Sequence, residues 1–253
     1  MILDDIKGKR VLVTGGSSGI GAAAAKGFHD HGADVAVHYF SGEKAAKALA
    51  ATMNAGGKVA LVSGDVRKPD DAAAIVAQTV RALGGLDVLV NNAGGVVKAT
   101  KLADYADDIL DGIVNLNVRS ILALTRAALP HLKASGQGSI INIGSIAGRN
   151  GGQPGSGLYA ASKATVHSLT RSMATEFAPD GVRANVIAPG LMVTPFHANT
   201  PKDRLEAVRG TVPLRRLGTA EDCVGACLFL ASPGMSGYVT GQIIDVNGGR
   251  LMP

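Results

Sequence analysis

Tryptophan is absent from this 253-residue chain, and aromatic residues make up only 4% of it. Its core must therefore be built mainly from Ala, Val, Leu and Ile. Only two cysteines occur, Cys223 and Cys227, one helical turn apart. That count excludes a disulfide framework, and the spacing is not the CxxC of a metal or redox pair. Buried free thiols in a reducing compartment are the expectation. No run of eighteen uncharged apolar residues exists, so no spanning helix is expected. The opening residues, Met1 to Arg10, carry Asp4 and Asp5 and no long apolar stretch, so a signal peptide is not evident and a soluble, cytoplasmic protein is expected. The six histidines show no ligand spacing, so no metal is expected. Lys and Arg outnumber Asp and Glu, 25 to 20, but they are scattered. A solvated basic surface is expected rather than a nucleic-acid partner.

What the chain has in quantity is glycine, 34 residues with no collagen-like period. These read as turns and close backbone approaches. Hydrophobic residues at 46% and charged residues at 18% suit a well-buried core. Short apolar runs alternate with helical stretches from end to end. Arg10–Thr14, Asp34–Tyr39, Lys58–Ser63, Leu86–Val90, Ser139–Ile143, Val182–Ile187 and Gln242–Val246 read as strands. Gly19–His31, Glu43–Asn54, Asp70–Leu83, about Ala106–Ala134, Leu158–Phe177, Pro201–Val208 and Ala220–Ala231 read as helices. Continuous apolar strands separated by helices point to parallel strands covered on both faces. The predicted fold is α/β, a doubly wound Rossmann-type sheet of about seven strands. No linker or charge block interrupts it, so residues 1–253 form one domain.

The first strand–helix turn reads Thr14-Gly15-Gly16-Ser17-Ser18-Gly19-Ile20-Gly21. Glycines there turn the chain sharply and let backbone approach a pyrophosphate. The helix that follows offers unpaired N–H groups and a positive dipole end. The spacing is G-x3-G-x-G rather than G-x-G-x-x-G. Further dinucleotide contacts are expected at the carboxyl ends of strands, at Asp65 and Val66 and at Asn91, Ala93 and Gly94. The second strand closes in His38-Tyr39-Phe40-Ser41-Gly42, without the acid that would bind a ribose 2′-hydroxyl. The missing carboxylate favours NADP(H) over NAD(H), with Lys44 and His38 as the cations available to a 2′-phosphate.

Tyr159 and Lys163 stand four residues apart on the Leu158–Phe177 helix, which puts both on one face. A phenol with an ordinary pKa near 10 is a poor base at neutral pH. A nearby ammonium and a cationic nicotinamide would favour its phenolate. Ser145 closes the fifth strand, and Asn117 lies in the long helix after the fourth. With TGxxxGxG, Asn91-Asn92-Ala93-Gly94, Ser145, YxxxK and Pro189-Gly190 in this order, the whole chain resembles the short-chain dehydrogenase/reductase family. The resemblance implies Tyr159 as general acid/base, Ser145 as the hydroxyl that polarises the substrate oxygen, and Lys163 as the residue that lowers the tyrosine pKa and binds the nicotinamide ribose. It implies Asn117 as anchor of a proton-relay water, with Asn115 as the fallback. Backbone near Met192, after Pro189 and Gly190, is expected to hold the carboxamide, with Thr194 close by. A homotetramer or homodimer, joined through the long helices beginning near Ala106 and Leu158, is likewise implied.

The substrate wall is expected from Gly94–Val97, Arg149–Gly157 and Thr194–Val212, the last resembling the family's mobile lid over about residues 194–212. Arg149, Gln153 and His197 are the polar side chains available there. The activity implied is hydride transfer between a nicotinamide and a carbonyl or secondary alcohol. One alternative is a 3-oxoacyl-carrier-protein reductase, which needs a basic docking surface. The residues flanking Lys133 and Arg171 include Glu176 and Asp180, which weakens that assignment. A small polyol, sugar or hydroxy-ketone is then an equal expectation. A non-catalytic NADP-sensing protein is a different class, and it need not retain all four of Ser145, Tyr159, Lys163 and Asn117.

Overall fold

Val11, Leu12 and Val13 leave no surface to solvent, and the same holds for Val35, Ala36 and Val37 and for Val88, Leu89 and Val90. Strands so buried on both faces belong in a parallel sheet with helices on each side. The computed structural model, which describes residues 3–54, 56–198 and 200–253, has that arrangement. In chain order it runs β1 (Arg10–Val13), α1 (Gly19–Asp30), β2 (Asp34–Tyr39), α2 (Glu43–Ala50), β3 (Val59–Ser63), α3 (Pro69–Leu83) and β4 (Val88–Asn91). There follow α4 (Asp107–Val114), α5 (Ser120–Ala134), β5 (Ser139–Ile143), a single turn α6 (Ala147–Asn150), α7 (Gly157–Phe177) and β6 (Arg183–Pro189). The chain closes with β7 (Met192–Val193), α8 (Lys202–Thr211), β8 (Gly218–Thr219), α9 (Val224–Ala231), a short α10 (Pro233–Ser236) and β9 (Ile243–Val246).

Seven strands form one parallel sheet in the order β3-β2-β1-β4-β5-β6-β9. Strand order reverses between β1 and β4, and ligands of open α/β sheets bind in the crevice outside such a point. One core layer packs Ile75, Leu124, Leu132 and Val166 from α3, α5 and α7 beneath Leu12, Leu89 and Ile140. The other packs Phe28, Cys227 and Leu230 from α1 and α9 beneath Val13, Val35 and Ile141. Both cysteines are free and buried. None of the described helices is long and apolar enough to cross a membrane.

The sequence boundaries need three corrections. The helix expected to reach Asn54 ends at Ala50, because Thr52 and Asn54 turn their side chains onto the carbonyls of Leu49 and Ala51. The long helix expected from Ala106 is broken at Asn115–Arg119 by a π-helical turn that separates α4 from α5. The helix expected from Ala220 begins as a 3₁₀ turn, closed by reciprocal bonds between Thr219 and Asp222. The β7–β8 pair has too little chain to show periodicity and was not expected.

Candidate active site

Thr14, just past β1, is fully buried. Its Oγ1 donates to the Val90 carbonyl (3.2 Å) and accepts the N–H groups of Asn92 (3.0 Å) and Ala93 (3.1 Å). Asn92 answers by donating Nδ2–H to the carbonyls of Thr14 (2.9 Å) and Gly15 (3.1 Å). The glycine turn is thus clamped to the end of β4. Gly15 and Gly19 hold φ of 60° and 54°, a region that L side chains rarely adopt. A Cβ on Gly21 would lie 2.4 Å from Asn92 Nδ2 and 2.4 Å from the Gly15 carbonyl. Ser18, which caps α1, makes no side-chain bond to the helix. The first-turn N–H groups are left to whatever binds there. A glycine cradle at a helix N-terminus, beside the point of strand reversal, fits a dinucleotide pyrophosphate.

His38 does not face that cradle. Its ring is buried, Nδ1 accepting the Gly15 N–H (3.0 Å) and Nε2–H donating to the Gly64 carbonyl (3.0 Å). Burial pushes its pKa down, so it stays neutral and braces the loop from below. Its assignment as a phosphate contact is corrected on that ground. Asn91 likewise turns inward, donating Nδ2–H to Asn142 Oδ1 at 2.9 Å. Its neighbour Asn92 faces the cleft. The Asp65 carboxylate is gripped by Arg67 through Nε (2.8 Å) and Nη2 (2.7 Å), which holds its pKa below the usual range. Arg67 in turn stands 5.4 Å over the exposed Phe40 ring, just beyond Tyr39 at the end of β2. Val66 is buried beside this pair.

The catalytic candidates converge across the loop. Lys163 is buried one turn beyond Tyr159 on α7, and its Nζ donates to the Ile143 carbonyl at 2.6 Å. Nζ lies 5.7 Å from the Tyr159 ring centroid. Burial pulls the Lys163 pKa down to about 8. It pushes Tyr159 up, opposed by a hydrogen bond with Ser145, so the phenol is protonated at neutral pH. Ser145 follows β5 in a turn where its Oγ accepts the Ala147 N–H (3.1 Å). Beside that turn Gly144 leaves room for the His167 ring, since a Cβ there would be 2.5 Å from Nε2.

Asn117 sits in the π-helical turn and is buried, whereas Asn115 is only half-buried. Asn117 Oδ1 accepts the Gly95 N–H (2.8 Å), and Nδ2 donates to the Gly95 carbonyl (2.8 Å) and to Ser162 Oγ (3.1 Å). A Cβ on Gly94 would meet both Asn117 Oδ1, at 2.9 Å, and Lys163 Nζ, at 3.3 Å. A π-bulge of this kind re-aims one side chain within an otherwise regular helix.

One cleft of about 810 Å³ joins these parts. It takes in Gly15, Ser17, Ser18, Gly19, Ile20, Ala93 and Gly94 on the cradle side, and Ser145, Tyr159, Lys163, Pro189, Gly190, Met192 and Thr194 beyond it. Of the expected substrate wall, Gln153 and His197 line the cleft, but Arg149 does not. It pairs with Asp245 at 3.0 Å instead. Asn199, within the expected lid, lies outside the described residues. Phe196 in the same segment is half-exposed, its ring 6.2 Å from that of Tyr159. Sequence reasoning missed Thr14, Asn92, Phe196, Arg204 and Arg250. The first two stand inside quoted motifs and were recoverable from a count of loop hydrogen bonds. Phe196 and Arg204 stand inside the expected wall segment 194–212 but were not singled out, and Arg250 carries no local signal.

Residues 15–250 match the family model described as enoyl-(acyl carrier protein) reductase. Among curated proteins, the chain is 37% identical to L-rhamnose 1-dehydrogenase (NAD(P)(+)) of Sphingomonas sp., covering 98% of each chain. It is 35% identical to a 3-oxoacyl-[acyl-carrier-protein] reductase of Thermotoga maritima, over 98% of this chain and 99% of the other. Among solved structures, an NADH-dependent reductase A1-R′ responsible for alginate metabolism superposes with a TM-score of 0.92 at 38% identity. That match covers 99% of this chain and 100% of the other, and the same reductase is also solved in complex with NAD.

Proposed function

This chain belongs to the short-chain dehydrogenase/reductase family and is an NAD(P)-dependent oxidoreductase, and we propose that Tyr159 exchanges the proton with the substrate oxygen. The observation that carries this reading is the pair of half-buried Tyr159 and buried Lys163, with Ser145 beside it, in a cleft that opens onto the glycine cradle. A bound nicotinamide supplies or accepts the hydride at the reacting carbon. In the reducing direction, the carbonyl oxygen accepts hydrogen bonds from Ser145 Oγ and from the Tyr159 phenol. As charge develops there, the phenol delivers its proton, and the ammonium of Lys163 offsets the charge left on the phenolate. In the oxidising direction Tyr159 must first lose its proton, and burial opposes that loss. Asn117 holds the Gly95 backbone with both atoms of its amide, and the family resemblance implies that a proton-relay water is anchored at this turn.

The expected cofactor is NADP(H) in preference to NAD(H). No carboxylate ends β2, and Arg67 over Phe40, whose pair with Asp65 engages Nε and Nη2 and leaves Nη1, supplies a donor there in place of the buried His38. Small carbonyl and hydroxy compounds suit the cleft better than a carrier-protein thioester. Lys133, one of the cations available to dock an acidic carrier, is already paired with Asp180 at 2.6 Å. Exposed Leu122 and Tyr105, on and before the long helices, suit assembly into a homodimer or homotetramer through that face. The lid is assigned to residues 194–212, of which Asn199 lies outside the described residues, because Phe196, Arg204 and Val208 line the cleft. The test is Tyr159→Phe, which should lower turnover of any accepted carbonyl at least a thousandfold while nucleotide affinity changes less than threefold. Turnover close to wild type would overturn the assignment.

A further inference from the structure

The charged side chains that line the cleft are Lys163, Arg204 and Arg250, and no Asp or Glu lines it among the described residues. Lys163 belongs to the reaction machinery, and the pyrophosphate is assigned to the N-terminus of α1. Arg204 and Arg250 are left without a role. Arg204 and Val208 stand one turn apart on α8 and both face the cleft. Gly248 and Gly249 pack against Val212, Leu214 and Pro213 just beyond α8, which brings Arg250 to the same wall. Each guanidinium lacks an acid partner among the described residues, although Glu206 on the same helix pairs with Arg209. Arg250 is half-buried, and desolvation lowers its pKa. His197, which lines the same cleft, is pushed down by burial and by the charge of Arg204, so it adds hydrogen bonding rather than charge.

A partly desolvated guanidinium with no counter-ion is costly unless a ligand provides one, and its planar fork matches a carboxylate. We propose that the substrate is a small oxo or hydroxy acid, a sugar acid among them, whose carboxylate is held by Arg250 and Arg204 while its carbonyl or hydroxyl meets Tyr159. Gln153 and Asn150, which line the same cleft, are then available for hydroxyl groups along the substrate. The proposal deepens the oxidoreductase reading and rests on it.

The test compares matched carbonyl compounds carrying a free carboxylate, its methyl ester or a phosphate ester, each with NADPH and with NADH. The acid should exceed the ester in kcat/KM at least tenfold. Arg250→Met and Arg204→Met should each cut that ratio about tenfold or more, chiefly through KM, and Arg250→Lys should keep part of it. Equal rates for acid and ester, or a ratio untouched by Arg250→Met, would overturn the proposal. Preference for the phosphate ester would replace the carboxylate by a phosphate. Calorimetric titration of a saturated hydroxy acid into the enzyme with NADP+ separates the two readings. Binding weakened tenfold by Arg250→Met, with no turnover of any compound, supports the clamp and sinks the assigned redox chemistry. Absence of binding, with neutral carbonyls turned over, sinks only the clamp.

Discussion

His167 lies one turn beyond Lys163 on α7, buried against Gly144 and Gly148 with its Nε2 unpaired. Burial and the charges of Arg149, Lys163 and Arg171 bring its pKa from 6.5 down to about 4. Every charged group acting on the ring is a cation, so the fold tolerates only neutral imidazole. An unfolded chain takes up a proton as pH falls through about 6.5, whereas the folded chain does not until about 4. Stability tied to this residue is therefore complete above pH 6.5 and lost on the way down to pH 4. At about 1.4 kcal/mol per pH unit the full effect is roughly 3 kcal/mol, and solvent screening around a ring not wholly enclosed reduces it to roughly 2.

His38 and His197 are also shifted downward and likewise cost stability as pH falls below 6.5, so the wild-type slope alone identifies nothing. The informative quantity is the difference made by His167→Leu, which removes the titrating group and the unpaired nitrogen together. Urea unfolding of both proteins at pH 7.5 and pH 4.5 should show the variant losing roughly 2 kcal/mol less than wild type across that interval. Asp222, whose partner Arg216 holds it at about 2, titrates below the interval and does not disturb the comparison. Equal losses in the two proteins would refute the claim that the imidazole is held neutral.

Gly21→Ala drives a Cβ into Asn92 Nδ2 and the Gly15 carbonyl, and should weaken dinucleotide binding at least tenfold by fluorescence titration while the far-ultraviolet spectrum is retained. Asn117→Ala frees Gly95 and should lower kcat about a hundredfold with a small change in KM, whereas Asn115→Ala should stay within about threefold of wild type. Arg67→Ala should reduce affinity for NADPH about tenfold and leave NADH within about threefold, because only the former carries the 2′-phosphate that this guanidinium is proposed to meet. Equal losses for both nucleotides would mean that Arg67 acts through its grip on Asp65.

The order of strands and helices was legible because the central strands are buried on both faces and read as short, mostly apolar runs, bounded by glycines and polar turns. Ends were less legible because they depend on local competition that composition does not carry. α3 starts at Pro69 and stops at Gly84 with φ of 82°, signals available by inspection. α2 stops where Thr52 and Asn54 bond back to the chain, and those residues also occur inside helices.

In the site, Tyr159, Lys163 and Ser145 were legible from spacing and order, since one helical turn and one strand end are enough to bring them together. The side chains of His38 and Asn91 point away from the cradle for a common reason. Both stand near strand ends at the ligand edge, but a strand directs successive side chains to opposite faces, so a position there points into the protein as easily as out. His38 turns under the loop because the Gly15 N–H and the Gly64 carbonyl are there to be satisfied, and a neutral imidazole can serve both at once. Asn117 shows the opposite case. Regular helix spacing could not have placed it, because the inserted residue of the π-helical turn shifts the register between α4 and α5. That shift carries Asn117 inward to Gly95 and Ser162 while Asn115 stays half-buried, so a site that depends on its amide depends first on an irregularity in the backbone.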